Sequence, residues 1–255
     1  MKIGFLGFGN IAKAALAGLQ NKKIKNIEQF YASSTHYLTL KEEAKQYNII
    51  ACKTNEELIK NSDIIFLCVK PKQVEDVLEN EDLENKVIIS FVAGLYCDDL
   101  EKIIPNTHHI SVIPNTAMSV NSGVLLTEDK DTLTISQYKT VEKLLNKLGS
   151  MEIINKEQMG IATVIAGCAP AFVAMFIEAL GDGACRFGLD RQTSYRLAAK
   201  MMEGTGKMAS TLNVHPGILK DAVCSPNGST IKGVCELEEE GFRGAIIEAI
   251  SEIMD

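Results

Sequence analysis

The chain has 255 residues, enough for one large domain or two modest ones, and 46% of them are hydrophobic, which is ample for a buried core. Its formal net charge of −7, with no local cluster of Lys and Arg, argues against a nucleic-acid groove. Seven cysteines (52, 68, 97, 168, 185, 224 and 235) are scattered singly, with no C-x-x-C pair and no His at metal spacing, so we expect reduced thiols in the cytoplasm and no metal site.

The first residues run Lys2-Ile3-Gly4-Phe5-Leu6-Gly7-Phe8-Gly9-Asn10-Ile11-Ala12, an apolar strand pattern passing into Gly-x-Gly-x-x-Ala and then a small-residue helix pattern. A strand, a tight turn and a helix in direct succession suit a dinucleotide. Gly7 takes the angles of the turn, Gly9 leaves the backbone open to a pyrophosphate, and Ala12 lets helix and strand pack closely. The first N–H groups of the helix then face a negative ligand. Because the strand begins at once, and Lys2 is followed by glycines rather than a long apolar run, we expect no secretory signal.

A strand–helix rhythm with short loops follows. Strands are expected over 27–32, near 49–51, over 63–69, 86–91 and 109–113. Helices are expected over about 38–47, from Asn55 (as a cap) to near Asn61, from about Gln73, and over 98–104. The run Asp63-Ile64-Ile65-Phe66-Leu67-Cys68-Val69 is apolar throughout, as in a strand covered on both faces. Residues 123–126 and 151–154 read as later edge strands around a helix over 135–148. The pattern predicts a doubly wound, mostly parallel sheet with right-handed crossovers.

Near residue 156 the pattern changes, and helices alone are expected over 156–187, 191–211, 231–239 and 242–254. The first carries many Gly and Ala residues, which permit close helix crossings. Its stretch 161–177 is almost free of charge, yet it is short for a membrane span and contains Pro170, so we expect it in an interface between subunits. The division is therefore a dinucleotide-binding domain over 1–155 and an all-helical domain over 156–255.

The end of the second expected strand reads Ser33-Ser34-Thr35, where an NAD enzyme usually places an Asp or Glu for the ribose 2′-OH; Glu28 lies at the wrong end of that strand. Hydroxyls and N–H groups suit a 2′-phosphate. This favours NADPH and leaves NADH admissible, with Lys41 the nearest cation. In the helical part, the polar loop Ser225-Pro226-Asn227-Gly228-Ser229-Thr230 opens a helix, so its N–H groups can converge on a carboxylate and Thr230 adds a hydroxyl there. A plain turn with an N-cap would carry the same residues.

These features together resemble the Δ1-pyrroline-5-carboxylate reductase family over nearly the whole chain. The resemblance rests on the N-terminal glycine turn, Ala32-Ser33-Ser34, Val69-Lys70-Pro71, Ala93-Gly94 and Pro114-Asn115-Thr116. Its most diagnostic piece is Leu219-Lys220-Asp221-x-Val223-x-Ser225-Pro226-x-Gly228-x-Thr230-Ile231, followed by Leu237-Glu238 and Gly241-Phe242-Arg243.

The resemblance implies a Rossmann α/β domain joined to an all-helical dimerisation domain, in homodimers that assemble further, commonly to decamers. It implies cofactor contacts at Gly7, Gly9, Asn10 and Ile11, and Ser33 and Ser34 at the 2′-phosphate. Asn55 falls near the adenine ribose, Val69, Lys70 and Pro71 beside the phosphates and nicotinamide ribose, and Ala93 and Asn115 near the nicotinamide. It implies a substrate carboxylate held by Ser225, Asn227, Gly228, Ser229 and Thr230, with Thr230 also near the ring nitrogen as the catalytic group. Lys70 is expected to serve cofactor oxygens rather than to act as an acid, and His215 to be structural. No metal, nucleic acid or membrane is implied, and the activity is the reduction of a small cyclic imine to proline in the cytoplasm.

Three departures stand out. The family's Ser-Gly-Ser-Gly-Pro-Ala-Tyr reads Ala166-Gly167-Cys168-Ala169-Pro170-Ala171-Phe172, Pro-Asn-Thr-Pro ends in Ala117, and Ser-Pro-Gly-Gly has Asn227 at its third position. If that position needs a positive φ, Asn is the least costly residue after glycine. The departures leave room for a reductase of another cyclic imine, or for a nucleotide-binding homologue without activity. A hydroxyacid-type dehydrogenase would need a catalytic Lys, and no motif supports Lys200 or Lys207 in that role.

Overall fold

The computed structural model describes residues 1–22, 24 and 26–255. They form two compact units, Met1–Gly167 and Cys168–Asp255.

In the first unit β1 (Lys2–Leu6), α1 (Asn10–Asn21), β2 (Gln29–Ser33), α2 (Tyr37–Tyr47), β3 (Ile50–Ala51), α3 (Asn55–Lys60), β4 (Ile64–Leu67), α4 (Val74–Leu78), β5 (Val87–Ser90), α5 (Cys97–Ile103) and β6 (His108–Pro114) alternate strictly. They are followed by β7 (Gly123–Thr127), α6 (Ile135–Leu145), β8 (Gly149–Ile153) and α7 (Met159–Thr163). The eight strands form one sheet in the order β3-β2-β1-β4-β5-β6-β7-β8. All pairs are parallel except β6 with β7. Only β8 of the last two strands is an edge: β7 lies inside the sheet, because a short connection after β6 turns it back against that strand.

Successive side chains of a strand point to opposite faces, and here both faces are covered. Ile3, Phe5, Ile64, Phe66, Val87 and Ile89 enter one core with Ala15, Leu16 and Leu19 of α1 and Leu144 and Leu145 of α6. Leu6, Ile65, Leu67 and Ile88 enter the other with Leu58 of α3, Val74 of α4 and Leu100 of α5. Phe5 stacks on Phe66 at 5.2 Å between ring centroids, and Phe66 meets Phe91 edge-on at 5.0 Å. Each such buried side chain contributes roughly 1.5–3 kcal/mol relative to exposure. The sequence placed a cap at Asn55; the observed cap of α3 is Thr54, whose hydroxyl accepts the Glu57 N–H at 3.1 Å. Threonine takes the extended cap conformation and satisfies that orphan donor, which leaves Asn55 as the first helical residue.

The second unit contains α8 (Pro170–Arg186), α9 (Arg191–Leu212), α10 (Pro216–Asp221), α11 (Ser229–Glu239) and α12 (Phe242–Met254). Helices α8 and α9 pack closely: a Cβ on Gly181 would lie 2.3 Å from the Tyr195 ring. Arg191 closes the turn between them, bonded to Asp182 and, at 2.8 Å, to the Tyr195 hydroxyl. Phe176 and Phe242 bring α8 and α12 together at 5.8 Å. The single helix expected over 156–187 is instead interrupted. A 3₁₀ turn at Lys156–Gln158 precedes α7, and residues Val164–Cys168 form a π-turn before α8. Pro170 supplies the local reason, since its missing N–H breaks the α-helical ladder at the turn before it.

Candidate functional site

Parallel α/β sheets bind ligands beyond the carboxyl ends of their strands, where the strand order reverses. Here the reversal lies between β1, which leads to β2 on one side, and β4 on the other. The residues expected to hold a dinucleotide cluster there. Gly7, just after β1, has φ +89°, and a Cβ on it would stand 2.7 Å from the Cys68 carbonyl oxygen and 2.8 Å from Val69 Cγ1. Only glycine fits that approach. The Gly7 N–H donates to the Ser33 carbonyl at 3.1 Å, which ties the turn to the end of β2.

Gly9 precedes α1 as its cap, no side chain caps that helix, and a Cβ on Gly9 would meet nothing within 4 Å. The glycine therefore leaves a vacant approach to an uncapped, twelve-residue helix N-terminus, the arrangement a pyrophosphate fits. Asn10 is exposed and Ile11 half-buried at the same point. Gly94, beyond β5, likewise has φ +72° and open space around its missing Cβ, and Ala93 beside it is exposed. Gly94 belonged to the sequence resemblance but not to the expected contacts; its pairing with Ala93 in a two-residue turn after a buried strand was the signal available.

The serines differ from each other. Ser33 is buried, and its hydroxyl donates to Asn55 Oδ1 at 3.0 Å, while Asn55 Nδ2 reaches the Val77 carbonyl at 3.4 Å. Ser34 is half-buried and accepts the His36 N–H at 3.2 Å, and Thr35 and His36 stand exposed beside it. Asn55, Ser33, Gly7 and Val69 thus form a continuous line across the strand ends. Lys70 and Pro71 are exposed beyond β4, with the Lys70 N–H held by Gln73 Oε1 at 3.2 Å. No ion pair involves Lys70 among the described residues. Burial pushes the Cys68 thiol well above its ordinary range, so it is an inert apolar group beside this edge.

Asn115 follows β6 and is buried. Its Nδ2 donates to the Ala166 carbonyl at 2.8 Å, and its Oδ1 accepts the Val124 N–H at 3.2 Å. Nearby, Asp98 bonds Lys130 and, at 3.0 Å, Lys156, and Lys130 first and Lys156 second hold its carboxyl at about 2. These bonds fasten the beginning of the segment that leads to the π-turn.

In the second unit, residues Ser225–Gly228 form a turn closed by the Gly228 N–H on the Ser225 carbonyl at 3.0 Å. A Cβ on Gly228 would stand 2.4 Å from Ser225 Oγ. Asn227 has φ 58°, the left-handed value for which Asn is the least costly substitute for glycine. Helix α11 then begins without a side-chain cap, and Ser225, Asn227, Ser229 and Thr230 are all exposed around its first turn. His215 caps α10, its Nδ1 accepting the Gly217 N–H at 3.0 Å, which is the structural role expected of it. No group of three or more metal-ligating side chains occurs among the described residues.

Residues 2–94 match the family model described as NADP oxidoreductase, coenzyme F420-dependent. Residues 156–255 match the one described as pyrroline-5-carboxylate reductase dimerisation, which points to a homo-oligomer. The helical run Lys156–Arg186, which by length and composition alone is apolar enough to cross a membrane, falls inside that dimerisation stretch. The solved structure of Plasmodium falciparum pyrroline carboxylate reductase with NADP bound shares 30% identity and a TM-score of 0.86, covering 99% of this chain and 95% of that one. The pyrroline-5-carboxylate reductase of Escherichia coli (strain K12) is 35% identical over 100% of this chain and 96% of its own length. That of Treponema pallidum (strain Nichols) is 41% identical over 98% of this chain and 97% of its own length. With this likeness running from the glycine turn to the last helix, the chain belongs to the pyrroline-5-carboxylate reductase family.

Proposed function

We propose that the chain reduces 1-pyrroline-5-carboxylate to L-proline with NADPH, the last step of proline biosynthesis. The observation that carries the substrate assignment is the start of α11: an uncapped helix end, a tight turn in which Gly228 packs against Ser225, and an exposed Thr230 in the first helical turn. The N–H groups there bind the substrate carboxylate, with the helix dipole adding to the attraction. Thr230 hydrogen-bonds the ring nitrogen and helps hold or relay the proton that makes the imine carbon electrophilic.

When bound, the reduced nicotinamide supplies the hydride. The open backbone at Gly9, with Gly7, Asn10 and Ile11, binds the pyrophosphate. The end of β2 binds the 2′-phosphate through Ser34 and the main chain there, with Ser33 committed to orienting Asn55 beside the adenine ribose. Val69, Lys70 and Pro71 line the phosphates and nicotinamide ribose, and Ala93 the nicotinamide end. The protein's contribution is position and exclusion of water rather than a metal or a lysine acid.

In this reading 1–155 is the cofactor domain and 156–255 the dimerisation and substrate domain. The enzyme works in the cytoplasm as a homodimer through its helices, with no nucleic-acid or membrane partner; light scattering separates a dimer from a decameric ring. The decisive assay is NADPH oxidation with pyrroline-5-carboxylate, compared with the six-membered cyclic imine and with NADH. The five-membered ring with NADPH is expected to be turned over fastest. Faster turnover of the six-membered ring would transfer the assignment to another cyclic imine, and cofactor binding without turnover of either would remove it.

A further inference from the structure

We propose that Asn115 is a positioning residue, which holds the π-turn Val164–Cys168 in shape instead of ligating the cofactor; this rests on the reductase reading above. The carboxamide is buried and engaged at both ends, to the Ala166 carbonyl at 2.8 Å and to the Val124 N–H at 3.2 Å. Its orientation is fixed by its partners, because a carbonyl can only accept and a main-chain N–H can only donate.

The need for this contact is written in the chain. In an α-helix the Ala166 carbonyl would receive the N–H of the residue four positions on, and that residue is Pro170, which has none. Asn115, 51 positions upstream, supplies the missing donor. Ala166 is half-buried, so a carbonyl left without a donor there would have to find one in solvent.

The π-turn so held is half-exposed: Ile165 and Gly167 face solvent and only Val164 is buried. It is also tied through Asn115 to the carboxyl end of β6, the side of the sheet on which the glycine turn and Gly94 stand open. Single π-turns inside helices are frequent at functional sites. Ala166 and Cys168 carry no hydroxyl, so the polar groups this segment offers are main-chain ones, and their direction depends on the turn's shape.

The test uses the full-length protein with Asn115→Asp, which keeps the acceptor toward Val124 but sets an oxygen against the Ala166 carbonyl. NADPH affinity is measured by fluorescence, opening of residues 164–171 by amide hydrogen exchange, and kcat and KM with pyrroline-5-carboxylate. Affinity is expected to stay within about 3-fold, exchange to speed up by about 10-fold or more, and kcat to fall by roughly 10- to 100-fold with little change in KM.

Adding Pro170→Ala restores an N–H for the Ala166 carbonyl within a regular helix. Exchange should slow again while kcat stays low, because the π-turn is gone. If Asn115→Asp does not fold, Pro170→Ala alone should lower kcat by about 10-fold with NADPH affinity kept. A tenfold or greater loss of NADPH affinity in Asn115→Asp would make Asn115 a cofactor ligand. Unchanged exchange, or kcat recovered by Pro170→Ala, would equally overturn the proposal. If the unaltered protein binds NADPH but does not reduce the imine, the reductase reading fails, and exchange with affinity still decides whether Asn115 holds the turn.

Discussion

The two units solve the problem of burying apolar surface in opposite ways. The sheet unit covers both faces of its strands with its own helices, and its Phe5, Phe66, Ile65 and Ile88 are fully removed from solvent. In the helical unit, Ala198 is the one hydrophobic residue buried among those described, while Met175, Met201, Val223, Ile247 and Met254 stand open. The first unit can hold a cofactor on a self-sufficient scaffold. The second leaves an apolar surface open on the stretch that matches the dimerisation family model.

The largest effect should come from that open surface. A charge there is unfavourable by several kcal/mol once it is covered. The double variant Met201→Asp with Ile247→Asp is expected to be monomeric by light scattering and to lose about 100-fold or more of its activity. The same change made on an exposed residue of the sheet unit, Ile135→Asp, should leave the assembly intact. An active oligomer in the double variant would show that the open faces do not meet a partner.

Next comes the chemistry proposed for the start of α11. Thr230→Ala is expected to lower kcat on the order of 100-fold while NADPH affinity stays within about 3-fold, read by steady-state kinetics and fluorescence titration. An unchanged rate would remove Thr230 from the mechanism.

Within the sheet unit, two neighbouring glycines separate folding from binding. Gly7→Ala places a Cβ against the Cys68 carbonyl at a positive φ, and should cost about 2 kcal/mol or more in urea unfolding. Gly9→Ala meets no protein atom, so stability should hold to about 0.5 kcal/mol while NADPH affinity falls about tenfold or more. Equal effects of the two would mean that the turn and the phosphate cradle are not distinct.

The smallest effect separates the units by pH. His109 is fully buried at the start of β6, with Nδ1 3.1 Å from Thr107 Oγ1 and Nε2 3.7 Å from Cys97 Sγ and 3.6 Å from Glu101. Burial lowers its affinity for a proton below that of an ordinary imidazole at 6.5, against the opposing pull of the Cys97 carbonyl and Glu101. The unfolded chain therefore takes up the proton first, so stability is full above about pH 6.5 and declines as the pH falls below it. Tm should drop between pH 7 and pH 5, and His109→Gln should flatten that slope. His215 in the helical unit is exposed, and its substitution should leave the slope in place.

Much of this comparison was legible before folding. The alternation of apolar runs and helical patterns located every strand of the sheet to within a few residues, most sharply β4 and β5, where every residue is buried. The glycine turn and the left-handed Asn227 were also readable, since a positive φ restricts the residue types that can stand there. The π-turn was not. A run of small apolar residues looks helical at every position, and the donor that replaces the missing Pro170 N–H comes from Asn115, far away in sequence. Nor could the sequence divide the labour of Ser33 and Ser34, because which hydroxyl is spent on Asn55 depends on how β2 and α3 meet.

By itself, then, the sequence determined what short-range periodicity and steric tolerance can encode: the order of elements, the glycine turn after β1, the loop that opens α11 and the change from sheet to helices. Tertiary structure alone decided which polar groups remain available for a ligand. Buried hydrogen-bonding groups must find partners wherever the fold brings them, and those pairings, such as Asn115 with Ala166, carry no signal in either local stretch.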